Sequence, residues 1–319
     1  MRILITGGTG SLGKAFVARM LKEEHRPDDK LRVFSRDEFK QHEMRRQFPD
    51  PRLEFVLGDI RDYGDVVNAL QDVDMVVNAA ALKQVPSCEY FPWQAIETNC
   101  LGTQNIVRAV EEFHLPINTV LTVSTDKACH PTTAMGMTKA LQERIIVAAA
   151  ARNEKTRFIG VRYGNVLVSR GSVIPLFHEQ IKAGGPVTIT VPGMTRFLLT
   201  LDQAVDTMLA AFRGAKRGEI YVPIAVSATI ANVARALIGE RSIETKIVGI
   251  RPGEKLHEIM VAEEEHTERR GDYFAILPML PELQGVRSAS ALTSEFSSAD
   301  SVLDSDGTKQ LLAQHGLIP

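Results

Sequence analysis

Short apolar runs alternate with helix-patterned stretches through the first half of this 319-residue chain, and that alternation admits few folds. Arg2 to Thr6 (RILIT), Leu31 to Phe34, Leu53 to Leu57, Met75 to Asn78 and Thr119 to Ser124 read as buried strands. Leu12 to Lys22 and Asn99 to Phe113 read as helices between them, and Phe158 to Arg162 as a sixth strand. Runs that are apolar throughout belong to strands covered on both faces, which requires a parallel sheet flanked by helices. The expected fold is α/β: a Rossmann-type doubly wound parallel sheet with a smaller C-terminal α/β domain. After about Val166 the rhythm breaks, and Gly and Pro punctuate Gly184 to Gly193. Asp202 to Phe212 and Thr229 to Ile238 then read as helices, and Glu219 to Pro223 as a strand. The expected division gives residues 1–165, with about 198–223, to the sheet domain and residues 166–197 and 224–287 to the smaller one. Residues 288–319 are expected to form a C-terminal tail. Its stretch Ser288 to Asp306, rich in Ser, Ala and Asp, reads as surface, and Thr308 to Gln314 as a short helix.

The first strand runs directly into Thr6-Gly7-Gly8-Thr9-Gly10-Ser11-Leu12-Gly13. Glycines at 7, 10 and 13 allow a tight turn, close approach of backbone to a pyrophosphate and close helix packing. The helix N-terminus that follows offers unpaired N–H groups and partial positive charge. A glycine triplet alone is a weak signal. Between a strand and a helix it becomes a dinucleotide fingerprint. Gly7, Thr9, Gly10, Ser11, Leu12 and Gly13 are the expected contacts. After the second strand an acidic residue would bond a ribose 2′-hydroxyl. Ser35 and Arg36 stand there instead, with Lys40 one turn on. A hydroxyl and two cations suit a 2′-phosphate, so NADP is the expected cofactor, ahead of NAD. Asp59 and Ile60 after strand three, Ala79, Ala80 and Ala81 after strand four, and Lys83 and Asn99 complete the expected cofactor contacts.

Strand five ends in Ser124-Thr125-Asp126-Lys127. Carboxyl ends of strands in a doubly wound sheet face the ligand crevice, so a hydroxyl, a carboxylate and an amine meet there as a candidate acid–base set. The plainer alternative is a helix cap with a surface ion pair.

Composition excludes several other classes. A net charge of -2 provides no basic field for nucleic acid or anionic lipid. No apolar run reaches the roughly 18 residues of a spanning helix, and the N-terminus shows no signal-peptide pattern. Three cysteines without Cys-x-x-Cys spacing argue against a disulfide scaffold or zinc site and fit a reducing cytoplasm. Cys129-His130 beside the candidate site reads as structural, Cys88 and Cys100 as helix packing, His257 as a surface or cap residue, and Met208 and Leu209 as core.

Several runs together resemble one family. They are Gly7 to Gly13, Phe34 to Glu38, Ala80 to Pro86, Ser124 to Ala128, Arg162 to Val166, Ser169 to Val173, Met194 to Phe197 and Arg251-Pro252-Gly253-Glu254-Lys255. The resemblance is to the UDP-N-acetylglucosamine 4,6-dehydratases of bacterial surface-glycan biosynthesis, within the extended short-chain dehydrogenases, and it runs from residue 1 to about 285. It implies oxidation of sugar carbon 4, loss of the carbon-5 proton and 6-hydroxyl as water, and return of hydride to carbon 6. By that resemblance Asp126 is the acid and Lys127 the base. Lys127, where retaining relatives carry Glu, implies inversion at carbon 5. A base role at neutral pH requires the Lys127 pKa to fall. The resemblance also implies UDP-sugar contacts at Lys83, Asn165, Arg170, Met194, Thr195, Arg196, Arg251 and Glu254, and a homo-oligomer.

The chain departs from the family pattern at one position. Short-chain dehydrogenases usually carry Tyr-x-x-x-Lys on one helix face, and here it reads Met135-Gly136-Met137-Thr138-Lys139. Lys139 is expected to bind the nicotinamide ribose, while a thioether cannot carry a proton. Three readings stay open. Thr125, Asp126, Lys127 or a water substitutes for Tyr; oxidation is slow; or the chain binds sugar without turning it over. A nucleotide-sugar epimerase is the alternative enzyme.

Overall fold

The computed structural model describes residues 1–22, 28–167, 172–285 and 289–318. The first half follows the expected rhythm: β1 (Arg2–Thr6), α1 (Ser11–Lys22), β2 (Lys30–Ser35), α2 (Glu38–Gln47), β3 (Leu53–Leu57), α3 (Tyr63–Ala69) and β4 (Met75–Asn78). Two short helices, α4 (Val85–Tyr90) and α5 (Pro92–Ala95), lead through a π-helical turn, Ile96–Leu101, into α6 (Gly102–Glu112). Next come β5 (Thr119–Thr125), a 3₁₀ turn (Asp126–Ala128), α7 (Ala134–Arg152), β6 (Arg157–Tyr163) and β7 (Asn165–Val166). The rest comprises α8 (Val173–Lys182), β8 (Val187–Ile189), β9 (Thr195–Leu199), α9 (Leu201–Gly214), β10 (Ile220–Pro223), β11 (Ser227–Thr229) and α10 (Ile230–Ile238). It ends with β12 (Thr245–Ile247), β13 (Ile259–Val261), β14 (Thr267–Arg270), β15 (Tyr273–Ile276), β16 (Phe296–Ser297), β17 (Val302–Leu303) and α11 (Ser305–Gln314).

Among the described residues nine strands form the main sheet, in the order β14-β15-β10-β6-β5-β4-β1-β2-β3. From β3 to β10 all neighbours are parallel, and β15 and β14 close the edge antiparallel. This is the doubly wound α/β fold expected from the alternating runs. Strand order reverses beside β1, so the crevice opens over the carboxyl ends of β1 and β4. Two apolar layers cover the sheet. Phe16, Val17 and Met20 of α1 pack with Val205 and Met208 of α9 on one face. Val66 of α3, Ile106 of α6 and Ile146 of α7 lie on the other.

The smaller region has its own core, in which Phe177, Val187, Leu198, Leu237 and Leu312 meet. Two parts of the expected division change. β14 and β15, assigned to the smaller domain, extend the main sheet, because each pairs through backbone hydrogen bonds with its neighbour toward β10. The C-terminal stretch is not a surface tail where it is described. β16 pairs with β13, β17 with β11, and Phe296, Ser298 and Leu312 are buried. Residues 286–288 lie outside the described residues. No described helix is long and apolar enough to cross a membrane.

Candidate active site

The turn after β1 has the form a dinucleotide needs. Gly7 has φ +64, and a Cβ there would stand 2.8 Å from the Ala80 Cα. A Cβ on Gly13 would stand 2.4 Å from the Gly8 Cα, so the start of α1 lies directly against the turn. These contacts leave α1 with its N-terminus aimed over the crevice and Ala79, Ala80 and Ala81 as a low wall beside it. Thr9 is buried, and Leu12 packs on the core. Ile60 is buried under Gly102. Asn99, fully buried, accepts from Leu82 N at 2.8 Å and donates to Leu82 O at 3.0 Å, which fixes the loop carrying Lys83.

The cations expected at a 2′-phosphate face carboxylates of this chain. Arg36 Nη1 lies 3.6 Å from Asp59 Oδ2, and Lys40 is ion-paired with Asp37, the N-cap of its own helix. Ser35 Oγ accepts from Gln41 Nε2 at 3.1 Å. Arg61 first, with help from Arg36, holds the Asp59 carboxyl below its ordinary range, so it stays an anion beside the cation.

At the end of β5 the backbone turns sharply over Asp126–Ala128. Gly136 permits this: a Cβ there would stand 2.4 Å from Lys127 O, so α7 passes directly under the turn. Asp126 is fully buried. Its Oδ1 accepts from Thr125 Oγ1 at 2.9 Å and from Lys127 Nζ at 2.9 Å, while Oδ2 is buried with no hydrogen-bond partner. Lys127 Nζ also lies 3.2 Å from Glu258 Oε1. Burial alone would depress the Lys127 ammonium. Asp126 and Glu258 outweigh that and hold it above the ordinary lysine range, opposite to the fall that a base requires.

Lys139, on α7, is different. Its ammonium donates to Val123 O at 2.5 Å and to Gln142 Oε1, both neutral, and burial pushes its pKa down to about 8. Met135 is buried against Cys88 and Ala95, so the usual Tyr position is filled by a side chain committed to packing. Burial pushes the Cys129 thiol up to about 12, which leaves no thiolate for nucleophilic chemistry.

The expected sugar contacts divide. Thr195 and Arg196 reach the crevice side: Thr195 Oγ1 is 2.7 Å from His257 Nδ1, and Arg196 Nε is 3.7 Å from Glu258 Oε1. His257, read as a cap, is therefore part of this cluster. Asn165 Oδ1 is buried with no hydrogen-bond partner. Met194 instead belongs to the core of the smaller region. Arg251 is exposed, its backbone N donating to Glu254 Oε2 at 3.1 Å. That loop docks onto the site: Thr132 Oγ1 donates to Gly253 O at 2.8 Å and Lys255 Nζ to Cys129 O at 2.6 Å. Arg170 lies outside the described residues. Sequence reasoning missed Glu258, whose only signal is a Glu following the Arg-Pro-Gly-Glu-Lys run. Among the described residues no cluster of His, Cys, Asp or Glu gathers to hold a metal ion.

Residues 3–277 match the family model described as polysaccharide biosynthesis protein. The chain belongs to that family. It is 47% identical over 281 residues to a UDP-glucose 4-epimerase of Rickettsia bellii (strain OSU 85-389), covering 86% of this chain and 82% of the relative. Among solved structures, Pen from Bacillus thuringiensis superposes with a TM-score of 0.91 at 33% identity, covering 100% of this chain and 98% of that one. DesIV, a dTDP-glucose 4,6-dehydratase from Streptomyces venezuelae with NAD and TYD bound, gives 0.71 at 25% identity over 80% of this chain and 87% of its own. Fold and family make this an enzyme of the extended short-chain dehydrogenase type that works on nucleotide sugars. The NADP expectation is overturned: DesIV and the other similar structures with a dinucleotide named carry NAD. In this chain the cations expected at a 2′-phosphate, Arg36 and Lys40, face the carboxylates of Asp59 and Asp37.

Proposed function

We propose that the protein is an NAD-dependent UDP-sugar 4-epimerase, which oxidises carbon 4 of the sugar and reduces it again from the other face. The alignment of 86% of the chain, at 47% identity, with a UDP-glucose 4-epimerase carries this reading. The glycine turn and the alanine wall fit the dinucleotide, which when bound supplies hydride acceptance and return. Lys139 holds the ribose beside β5. The 4-hydroxyl proton falls to the carboxylate of the Asp126–Lys127 turn, whose Oδ2 has no hydrogen-bond partner, with Lys127 as the ammonium beside it, since Met135 offers no acceptor. Asn165 and Arg196 hold the UDP-sugar from the other wall.

A specific observation keeps a second reading: 4,6-dehydration of UDP-N-acetylglucosamine with inversion at carbon 5. Asp126 and Lys127 place a carboxyl and an amine 2.9 Å apart, one more titratable group than carbon-4 chemistry uses. Dehydration needs both, an acid for the departing 6-hydroxyl and a base for the carbon-5 proton.

Incubation with UDP-glucose and with UDP-N-acetylglucosamine in heavy water, followed by mass and proton NMR, separates the two. A 4-epimer of unchanged mass supports the first reading. A product lighter by one water, deuterated and inverted at carbon 5, replaces it with the second. No sugar conversion with either substrate removes both.

A further inference from the structure

Lys127 is gripped from two sides. Asp126 holds it from its own turn at 2.9 Å, and Glu258 reaches it at 3.2 Å from the residue just before β13. The Glu258 side chain is 3% exposed, and its Oε2 has no hydrogen-bond partner. Arg196, from β9, lies 3.7 Å from the same Oε1. The Glu258 backbone is itself pinned: its N–H donates to Ser298 Oγ at 2.9 Å, and Ser298 Oγ is 2.7 Å from Thr195 Oγ1. Three segments far apart in sequence thus converge to aim one carboxylate at one ammonium.

The other charged groups nearby face elsewhere. On α7, packed beneath the turn, Glu143 binds Arg162 and Ser124, and Lys139 binds Val123 O and Gln142. Lys255 donates to Cys129 O and His257 meets Thr195. The charges that face Lys127 are Asp126, Glu258 and Arg196.

We propose that Glu258 is a positioning residue that, with Asp126, holds Lys127 as an oriented ammonium and thereby sets the pH at which Lys127 changes from proton donor to proton acceptor. Arg196 shares the same carboxylate oxygen. The inference rests on the reading of the Asp126–Lys127 turn as the proton-transfer site at the sugar and deepens it.

The test is competitive acetylation of Lys127 in the full-length protein across pH, read by peptide mass. In Glu258→Gln the half-titration of Lys127 falls by about one pH unit or more, as expected when an opposite charge within a few ångströms is removed. Arg196→Met shifts it the other way and serves where the Gln variant does not fold. Wild-type titration in the folded variants overturns the proposal. UDP-sugar conversion by wild type is followed in parallel. A Lys127 shift in a protein that converts no sugar removes the functional reading and leaves the Glu258–Lys127 coupling standing. Conversion with an unshifted Lys127 does the reverse.

Discussion

Lys127, on the 3₁₀ turn after β5, and Lys139, on the helix α7 beneath it, are both largely buried ammonium groups serving one crevice. Lys127 faces two carboxylates and is held above the ordinary lysine range. Lys139 faces a carbonyl and an amide oxygen and is pushed down to about 8. Burial acts the same way on both; the formal charge of the acceptors decides the sign. A lysine's chemistry is therefore set less by depth than by what its three N–H groups point at.

Arg162 is the extreme of the first arrangement. It is almost wholly buried, with Glu143 Oε2 and Glu265 Oε2 each 2.7 Å from its guanidinium. Ser124, near the end of β5, is bonded to the same Glu143, so this triad braces the strand from which the Asp126–Lys127 turn springs.

The contrast can be broken most severely at Lys127. Lys127→Met is expected to lower sugar conversion by roughly 10²–10⁴-fold, measured as turnover under saturating NAD. Retention of wild-type turnover would move proton transfer off the turn. Arg162→Met leaves the buried Glu143 and the half-buried Glu265 without their cation, and a loss of about 3–5 kcal/mol in urea unfolding is expected. A near-neutral result would show that both carboxylates protonate at little cost.

A pH series sharpens the comparison of the two lysines. The unfolded chain keeps the Lys139 proton up to about 10.5, the folded chain only to about 8. The stability linked to neutral Lys139 is therefore complete above the higher value and lost as pH falls through the lower one. Wild type should gain on Lys139→Met by roughly 3 kcal/mol as pH rises across that window. Lys127 has the opposite sign: its contribution is fully present below the unfolded value and is lost only as pH rises through its raised folded value. The difference between wild type and Lys127→Met should thus stay flat over the window in which Lys139→Met slopes. Chemical denaturation of both variants at several pH values reads this directly, and parallel slopes would dissolve the distinction.

The smallest effect concerns the helix that presents Lys139. Thr133 caps α7, its Oγ1 accepting from Gly136 N at 3.1 Å. Thr133→Ala should cost about 1 kcal/mol with little change in the pH dependence of stability; a changed slope would mean that the cap also positions Lys139.

Much of this was legible in the chain. β1, β3 and β4 span the expected residues: β1 and β4 because strands buried on both faces leave continuous apolar runs, and β3, at the sheet edge, because its run is largely apolar although only half-buried. Gly7 to Gly13 form the expected turn, with Gly13 packed against Gly8 within it and Gly7 against Ala80 after β4. The edge hairpin β14–β15 was harder to see. Thr267–Arg270 reads TERR, a polar edge strand without an apolar run, and only its pairing with β15 makes it part of the sheet.

By itself the sequence determined the local architecture: the alternating strands and helices, the glycine turn, the acid–amine pair after β5 and the Met in place of Tyr. These follow from short-range sterics, hydrophobic period and residue chemistry. Tertiary structure decided the charges. That Arg36 is matched by Asp59, that Lys139 meets the neutral Val123 O, and that Glu258 reaches Lys127 while Ser298 fixes it from the C-terminal segment all depend on distances between residues well separated in the chain. Coulomb interactions fall off over a few ångströms of space, and spacing along a sequence does not record that distance.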